Sequence, residues 1–245
     1  MELNTIYNED CLIGMDKIPD KSIDMILCDL PYGTTQNKWD SIIPLDALWG
    51  QYERIIKDNG AIVLTATQPF SSLVVVSNMS IFKYEWIWNK SKVTGVLNAK
   101  KQPLRNHESV LVFYKSQPTY NPQGLSDCDI EEVTGVAKGK SSSNYGKISQ
   151  TETGTYKRTK TGYPRSVLAV GSEGASFHPT QKPVALFEYL IKTYSNEGDT
   201  ILDNCMGSGT TAIACINTKR KYIGFEMDKG YFDAANYRIY KHLIG

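Results

Sequence analysis

Histidine is scarce, with three in 245 residues, and the five cysteines (Cys11, Cys28, Cys128, Cys205, Cys215) include no Cys-x-x-Cys pair. An odd number without paired spacing argues against a disulfide framework and against a structural zinc site, so no metal is expected. Long apolar runs are missing too: stretches such as Leu73–Val76 are far too short to span a bilayer. The opening residues, Met-Glu-Leu-Asn-Thr-Ile-Tyr, carry neither a basic leader nor an apolar core. No signal peptide is therefore expected, and the chain reads as cytoplasmic. Nor is there an excess of either charge, since the formal net charge is +1. That total says nothing about partners until its distribution is read.

What is present reads as one α/β domain over residues 1–245, carrying an inserted region at 116–164. Short apolar runs at Thr5–Tyr7, Ile23–Asp29, Ala61–Thr65, Tyr84–Trp88, Val110–Tyr114, Thr200–Asp203 and Tyr222–Phe225 predict about seven strands. Between them lie helical patterns. Leu45, Leu48, Tyr52, Ile55 and Ile56 recur at helical spacing, with Asn59-Gly60 expected to end that helix. Pro69–Ser77, Pro183–Tyr194, Ala212–Asn217 and Tyr231–Leu243 read as further helices, and a brief one opens at Asp10-Cys11-Leu12. Alternation of strand and helix predicts a doubly wound, mainly parallel sheet.

Two stretches carry chemistry. Ile23 to Tyr32 is a buried strand that ends in Asp29, followed by Leu30, the stiffening Pro31 and the ring of Tyr32. Carboxyl ends of strands in open parallel sheets are where ligands bind. The second stretch is the strand ending at Asp203, then the turn Met206-Gly207-Ser208-Gly209-Thr210-Thr211 entering a helix. Glycines let a ligand approach the backbone, and helix-start amides with hydroxyls hold a carboxylate or phosphate. The turn lacks a P-loop lysine and the full Gly-x-Gly-x-x-Gly spacing. Glu226 ends the next strand, where an acid is placed for ribose hydroxyls. Together these residues suit a nucleoside with a small charged tail.

The neutral total conceals local asymmetry. The stretch Asn89–Arg105, expected as a polar loop, holds Lys90, Lys92, Lys100, Lys101 and Arg105. Within Lys138–Arg165, Lys138, Lys140, Lys147, Lys157, Arg158, Lys160 and Arg165 stand against a single acid, Glu152, with Tyr145, Tyr156 and Tyr163 interleaved. Both stretches are candidates for gripping phosphates, the alternative being a solvated surface.

Asp29-Leu30-Pro31-Tyr32 resembles the Asp-Pro-Pro-Tyr tetrad of S-adenosylmethionine-dependent DNA amino-methyltransferases. Asp203 to Thr211 resembles their cofactor motif, and His178-Pro179-Thr180-Gln181-Lys182-Pro183 resembles a further cofactor segment before it. Asn106-His107-Glu108 is also familiar in that group. The catalytic motif precedes the cofactor motif with a variable segment between, the order of the β-class enzymes. The resemblance covers nearly the whole chain except Ser116–Pro164, where such enzymes keep their target-recognition region. It implies a class I methyltransferase fold of seven strands in permuted order. The strand before Asp203 would be first, the one before Glu226 second, the one at Thr5 third and the one before Asp29 fourth.

The resemblance further implies roles. Asp29 and the Leu30 carbonyl would accept the two hydrogens of a flipped-out amino group, with Tyr32 stacked on the base. Asp10 and Cys11 would lie beside the adenine of S-adenosyl-L-methionine and Glu226 at its ribose. Asp203, Gly207, Ser208, Gly209, Thr210 and Thr211 would hold the methionine end, with Thr180, Gln181 and Lys182 nearby. His178 to Pro183 also reads simply as a helix start. Implied partners are double-stranded DNA and a second copy of the chain; a cognate restriction nuclease is left open.

Two positions depart from the family pattern. Leu30 replaces the first proline, and Asn204-Cys205 replaces a common Pro-Phe, removing an aromatic for which Met227 or Phe225 would have to compensate. Asp at the tetrad's first position favours adenine-N6; cytosine-N4 transfer and a non-catalytic nucleic-acid-binding module are the alternatives. Carbon-5 methylation of cytosine is rejected, because none of the cysteines follows a proline. A nucleotide-linked dehydrogenase is disfavoured by the incomplete dinucleotide motif.

Overall fold

The computed structural model describes residues 1–33, 41–134, 154–171 and 181–245. It divides into two compact units, residues 1–121 with 165–245, and residues 122–164. Numbered along the chain, the strands are β1 (Thr5–Tyr7), β2 (Ile23–Asp29), β3 (Ile56–Ala66), β4 (Phe82–Thr94), β5 (Arg105–Phe113), β6 (Ser126–Thr134), β7 (Gly154–Thr161), β8 (Val167–Ala169), β9 (Thr200–Asp203) and β10 (Lys221–Phe225). The α-helices are α1 (Cys11–Asp16), α2 (Leu45–Ile55), α3 (Phe70–Ser77), α4 (Val184–Tyr194), α5 (Thr210–Asn217) and α6 (Lys229–Ile244).

The larger unit is built on one sheet of order β1-β10-β9-β2-β3-β5-β4-β8. Within it, β9, β10, β1 and β2 are the strands that the family resemblance ranked first to fourth. Strand β5 runs antiparallel between β3 and β4, and the rest pair parallel. The sheet has eight strands rather than seven, because Val167–Ala169 adds a short edge beside Ile87–Asn89. Three residues with a single buried side chain gave no readable periodicity.

Central strands in a doubly wound sheet are covered on both faces, hence their near-continuous apolar composition. Met25 and Leu27 of β2 face one core with α4 and α5, while Ile26 and Cys28 face the other with α1 and α2. The parallel strands β1, β10, β9, β2 and β3 end along one edge. Between β9 and β2 the winding reverses direction, and Asp203 and Asp29 end the two strands that flank this switch point.

Two element boundaries differ from expectation. Asn59-Gly60 does not end a helix: α2 stops at Ile55, and Ile56, buried and extended, begins β3. The β2–β3 register shifts there, and a Cβ at Gly60 would lie 2.8 Å from the Asp24 carbonyl. Glycine thus serves a strand irregularity. Likewise, Asn89–Arg105 is not one loop, because β4 extends to Thr94 and Arg105 opens β5. Cross-strand pairing supplies the backbone hydrogen bonds that a polar sequence did not advertise.

The smaller unit is an antiparallel ribbon of β6 and β7, with Ser126 opposite Thr161 and Thr134 opposite Gly154. It occupies most of the region read as an insert of weak periodicity. Lys157, Arg158 and Lys160 all lie on β7. Lys138, Lys140 and Lys147 lie outside the described residues. Among the described residues, no helix is long and apolar enough to cross a membrane. No group of His, Cys, Asp or Glu side chains among them is placed to hold a metal ion.

Candidate active site

The carboxyl edge of the sheet opens on a cavity of about 350 Å³. Asp29, Leu30, Pro31 and Tyr32 line one part of it, and Asp203, Gly207, Ser208, Thr210 and Thr211 another. Asp10, Cys11, Gln181, Lys182 and Glu226 complete the predicted residues found on its wall. Two motifs far apart in sequence therefore share one chamber. Thr180 lies outside the described residues. Gly209 does not line the cavity; it caps α5 at φ +80°, and a Cβ there would sit 3.2 Å from Ala235.

Asp29 is the best-braced acid of the site. Its Oδ1 accepts from the Tyr32 hydroxyl at 2.7 Å and from Thr65 Oγ1, and its Oδ2 accepts from Lys182 Nζ at 2.7 Å. Thr65 stands directly beside Asp29 in the β2–β3 register, which is why a threonine ending an apolar strand reaches it. Burial raises the Tyr32 phenol well above its ordinary value, and the neighbouring Asp29 charge adds to this, so the hydroxyl stays protonated. The Tyr32 ring lies 5.3 Å from that of Phe70, tilted by 32°. Leu30 buries its side chain at 3% exposure, leaving its backbone to serve the cavity.

The glycine turn is organised by acids on both sides. Asp203, 2% exposed, accepts from the Cys205 amide at 3.0 Å and from Thr211 Oγ1. Burial pushes its carboxyl up to about 6, against the pull of those donors. Glu226 accepts from the Gly207 amide through Oε2 and from the Asp228 amide through Oε1, each at 2.8 Å. Burial raises Glu226 above the usual carboxylate range, with the two amides opposing. Glu226 keeps lone-pair capacity for a sugar hydroxyl. Asp10 caps α1 through the Leu12 amide at 2.8 Å, so a cap and a cavity wall are the same residue.

Asn204 accounts for the departure at 204–205. Its Oδ1 accepts from the buried Tyr52 hydroxyl, and its Nδ2 approaches Cys11 Sγ at 3.6 Å and Cys205 Sγ at 3.5 Å. The aromatic that these residues lack has Phe225 and Met227 on the same cavity wall.

Three contributors were not singled out from sequence as site residues. Thr65 and Glu108 brace the catalytic-end charges, Glu108 lying 3.3 Å from Lys182 Nζ. Arg238, on α6, donates to Ser208 O at 3.0 Å, Ser208 Oγ at 3.2 Å and Thr210 Oγ1 at 3.0 Å. A usable signal existed: Arg238 sits between Ala235 and Ile239 at helical spacing, on the face α6 buries.

The basic residues divide. Lys92, Lys100, Lys101 and Arg105 are exposed. Lys90 is not a free phosphate ligand, since it pairs with Glu108 at 2.9 Å, with both side chains 12% exposed. Lys160 pairs with Asp127 at 2.6 Å on the surface of the ribbon.

A family model described as a DNA methylase matches residues 23–237. The chain belongs to the DNA methylase family. The methylase is 30% identical over 255 residues to DNA adenine methyltransferase YhdJ of Escherichia coli, covering 97% of this chain and 83% of that one. It is 27% identical over 268 residues to type II methyltransferase M1.MboII of Moraxella bovis, with 97% and 96% covered. Among solved structures, the M1.HpyAVI–SAM complex superposes with a TM-score of 0.64 at 24% identity, covering 96% of this chain and 98% of that one. The cytosine-N4-specific PvuII DNA methyltransferase gives 0.68 at 16%, with 96% and 85% covered. These two likenesses show the shared fold. The methylase is an S-adenosylmethionine-dependent DNA methyltransferase, and its cavity fits that cofactor: the acids Asp10 and Glu226 and the hydroxyl-bearing helix start at Ser208, Thr210 and Thr211 all line it.

Proposed function

We propose that this methylase transfers a methyl group to the N6 amino group of an adenine flipped out of double-stranded DNA at a specific sequence. The observation that carries the reading is the opening of Asp29 and the glycine turn onto one cavity. The names of YhdJ and M1.MboII support a DNA substrate, and YhdJ's supports adenine. Glu226 and Asp10, with Cys11 beside them, face the nucleoside end of the cofactor. Ser208, Thr210 and the start of α5 serve its carboxylate, with Gln181 on the same wall. When bound, S-adenosylmethionine supplies an electrophilic methyl group on a sulfonium.

The chain's own work is orientation and electrostatics. An adenine amino nitrogen is a poor nucleophile because its lone pair is delocalised into the ring. Asp29 Oδ1 accepts one of its hydrogens and the Leu30 carbonyl the other, which draws the nitrogen towards tetrahedral geometry. To admit the amino group, Tyr32 gives up its hydrogen bond to Asp29 and turns its ring to the base. Pro31 stiffens the turn on which this rests. A duplex hides the amino group, so the base must be flipped into the cavity.

Lys92, Lys100, Lys101 and Arg105 grip phosphates, and the ribbon unit carrying Lys157 and Arg158 is the target-recognition region of the single enzyme. The reading also takes a homodimer, from the resemblance to β-class enzymes, and a cytoplasmic site of action; sedimentation reads the first. A partner nuclease would be sought beside the gene.

Incubation with tritiated S-adenosylmethionine and duplex DNA, then digestion to nucleosides, is expected to yield N6-methyladenine. 4-Methylcytosine would overturn the choice of base, and transfer to RNA alone the choice of polymer. Asp29→Ala is expected to bind cofactor with the wild-type affinity and to lose transfer. Near-normal turnover in that variant would remove Asp29 from the mechanism.

A further inference from the structure

Lys182 touches both halves of the cavity. Its carbonyl oxygen accepts from Thr210 Oγ1 of the glycine turn at 3.4 Å, while its ammonium lies 2.7 Å from Asp29 Oδ2. The same Nζ is 3.3 Å from Glu108 Oε2, an ion pair without hydrogen-bond geometry that leaves this buried oxygen otherwise unsatisfied. Glu108 Oε1 in turn accepts from Lys90 at 2.9 Å. The Lys182 side chain is 7% exposed and that of Glu108 12%.

Burying an ammonium is unfavourable unless its charge is matched. Here burial pulls the Lys182 amine down, and Asp29, Tyr32 and Glu108 together outweigh it, leaving the amine well above its ordinary value. The side chain is therefore a fixed cation between two carboxylates. Such an ammonium is committed to the acids and is not free to serve as a cofactor ligand.

We propose that Lys182 is a positioning residue that fixes the plane of the Asp29 carboxylate and ties that orientation to the cofactor turn through its own main chain. With Oδ2 held by Lys182, only Oδ1 is presented to the incoming amino group. Glu108 is the second anion that keeps the ammonium in place. This inference deepens the proposed transfer and rests on the role given there to Asp29.

The test compares Lys182→Met, Lys182→Arg and the double variant Lys182→Met/Glu108→Gln with wild type. Single-turnover transfer to duplex DNA and cofactor affinity by calorimetry are read separately. Loss of alignment in Lys182→Met lowers the transfer rate about 100-fold at saturating cofactor, with cofactor affinity held. Lys182→Arg recovers most of that rate. The double variant is faster than Lys182→Met alone, because it no longer leaves Glu108 and Asp29 facing each other without a cation between them. Should the Met variant fail to fold, Glu108→Gln alone is expected to slow transfer about tenfold by the same misalignment, again with cofactor affinity held. A Lys182→Met rate that returns at high cofactor concentration overturns the inference, as do multiplicative losses in the double variant or a Glu108→Gln enzyme at full rate. A wild-type enzyme that methylates no nucleic acid refutes the proposed function instead, so the two failures are distinct.

Discussion

Arg238→Met separates the support of the glycine turn from the packing of α6. Methionine keeps an apolar stem of similar reach in the α6 interface while removing the guanidinium. What is lost includes one nitrogen shared among three acceptors, Ser208 O, Ser208 Oγ and Thr210 Oγ1, at 3.0, 3.2 and 3.0 Å. Arg238, Ser208 and Thr210 are 9%, 6% and 5% exposed, so water does not easily replace the donor. A hydrogen bond from a charged donor contributes about 1.5–3 kcal/mol, and three bonds to one nitrogen do not add in full. The expected loss is about 2–4 kcal/mol. For a chain of this size that corresponds to a fall in Tm of roughly 5–12 °C. The loosened turn is where the cofactor's carboxylate is proposed to sit, so cofactor affinity falls by about tenfold, equivalent to roughly 1.4 kcal/mol. Melting with and without S-adenosylmethionine reads the first effect, and calorimetry the second. A variant that melts with the wild type and binds cofactor equally well would refute the idea that α6 holds the turn from behind.

Two further outcomes follow from the buried acids and thiols. Asp203 titrates near 6 in the folded protein against an ordinary 3.8, because burial raises it. A raised folded value means that its stabilising contribution is present below the unfolded pKa and is lost as pH climbs through the folded one. Between about pH 4 and 6 wild type should thus lose on the order of 2 kcal/mol relative to Asp203→Asn, read as the difference between denaturant midpoints across that range. Parallel curves would refute it. Among the thiols, the Cys205 hydrogen bond lowers Cys11, against burial, whereas burial raises Cys28 to about 12 and Cys215 well up. Iodoacetamide is expected to label Cys11 before Cys28, Cys205 and Cys215, and bound cofactor to slow that labelling, as peptide mass mapping would report.

Much of the site was legible because strand ends are legible. Asp29, Asp203 and Glu226 each close an apolar run, and a parallel sheet sends all such ends to one edge. The ranks of four strands followed from the family resemblance carried by the motifs. Other features depend on distance in space and leave no local mark. Lys182 reads as part of a helix entry, yet its ammonium crosses to Asp29 and Glu108. Lys90 looks like any exposed lysine in a polar stretch until β4 and β5 pair and place Glu108 beside it. Asn59-Gly60 has the composition of a helix stop, but a register shift between two strands uses the same residues. Thr65 could have been found, since it is the residue at which β3 draws level with Asp29.

The buried side chain of Leu30 bears on how such enzymes are recognised. A carbonyl oxygen is the same acceptor whichever residue supplies it, so the second tetrad position is constrained by the hole its side chain fills. On the role proposed for the Leu30 carbonyl, an apolar residue of suitable volume satisfies that hole, and a search that insists on consecutive prolines would pass over this chain. The dependable signature is spatial: an acid closing a central strand, an inward apolar residue after it, then a proline and a ring.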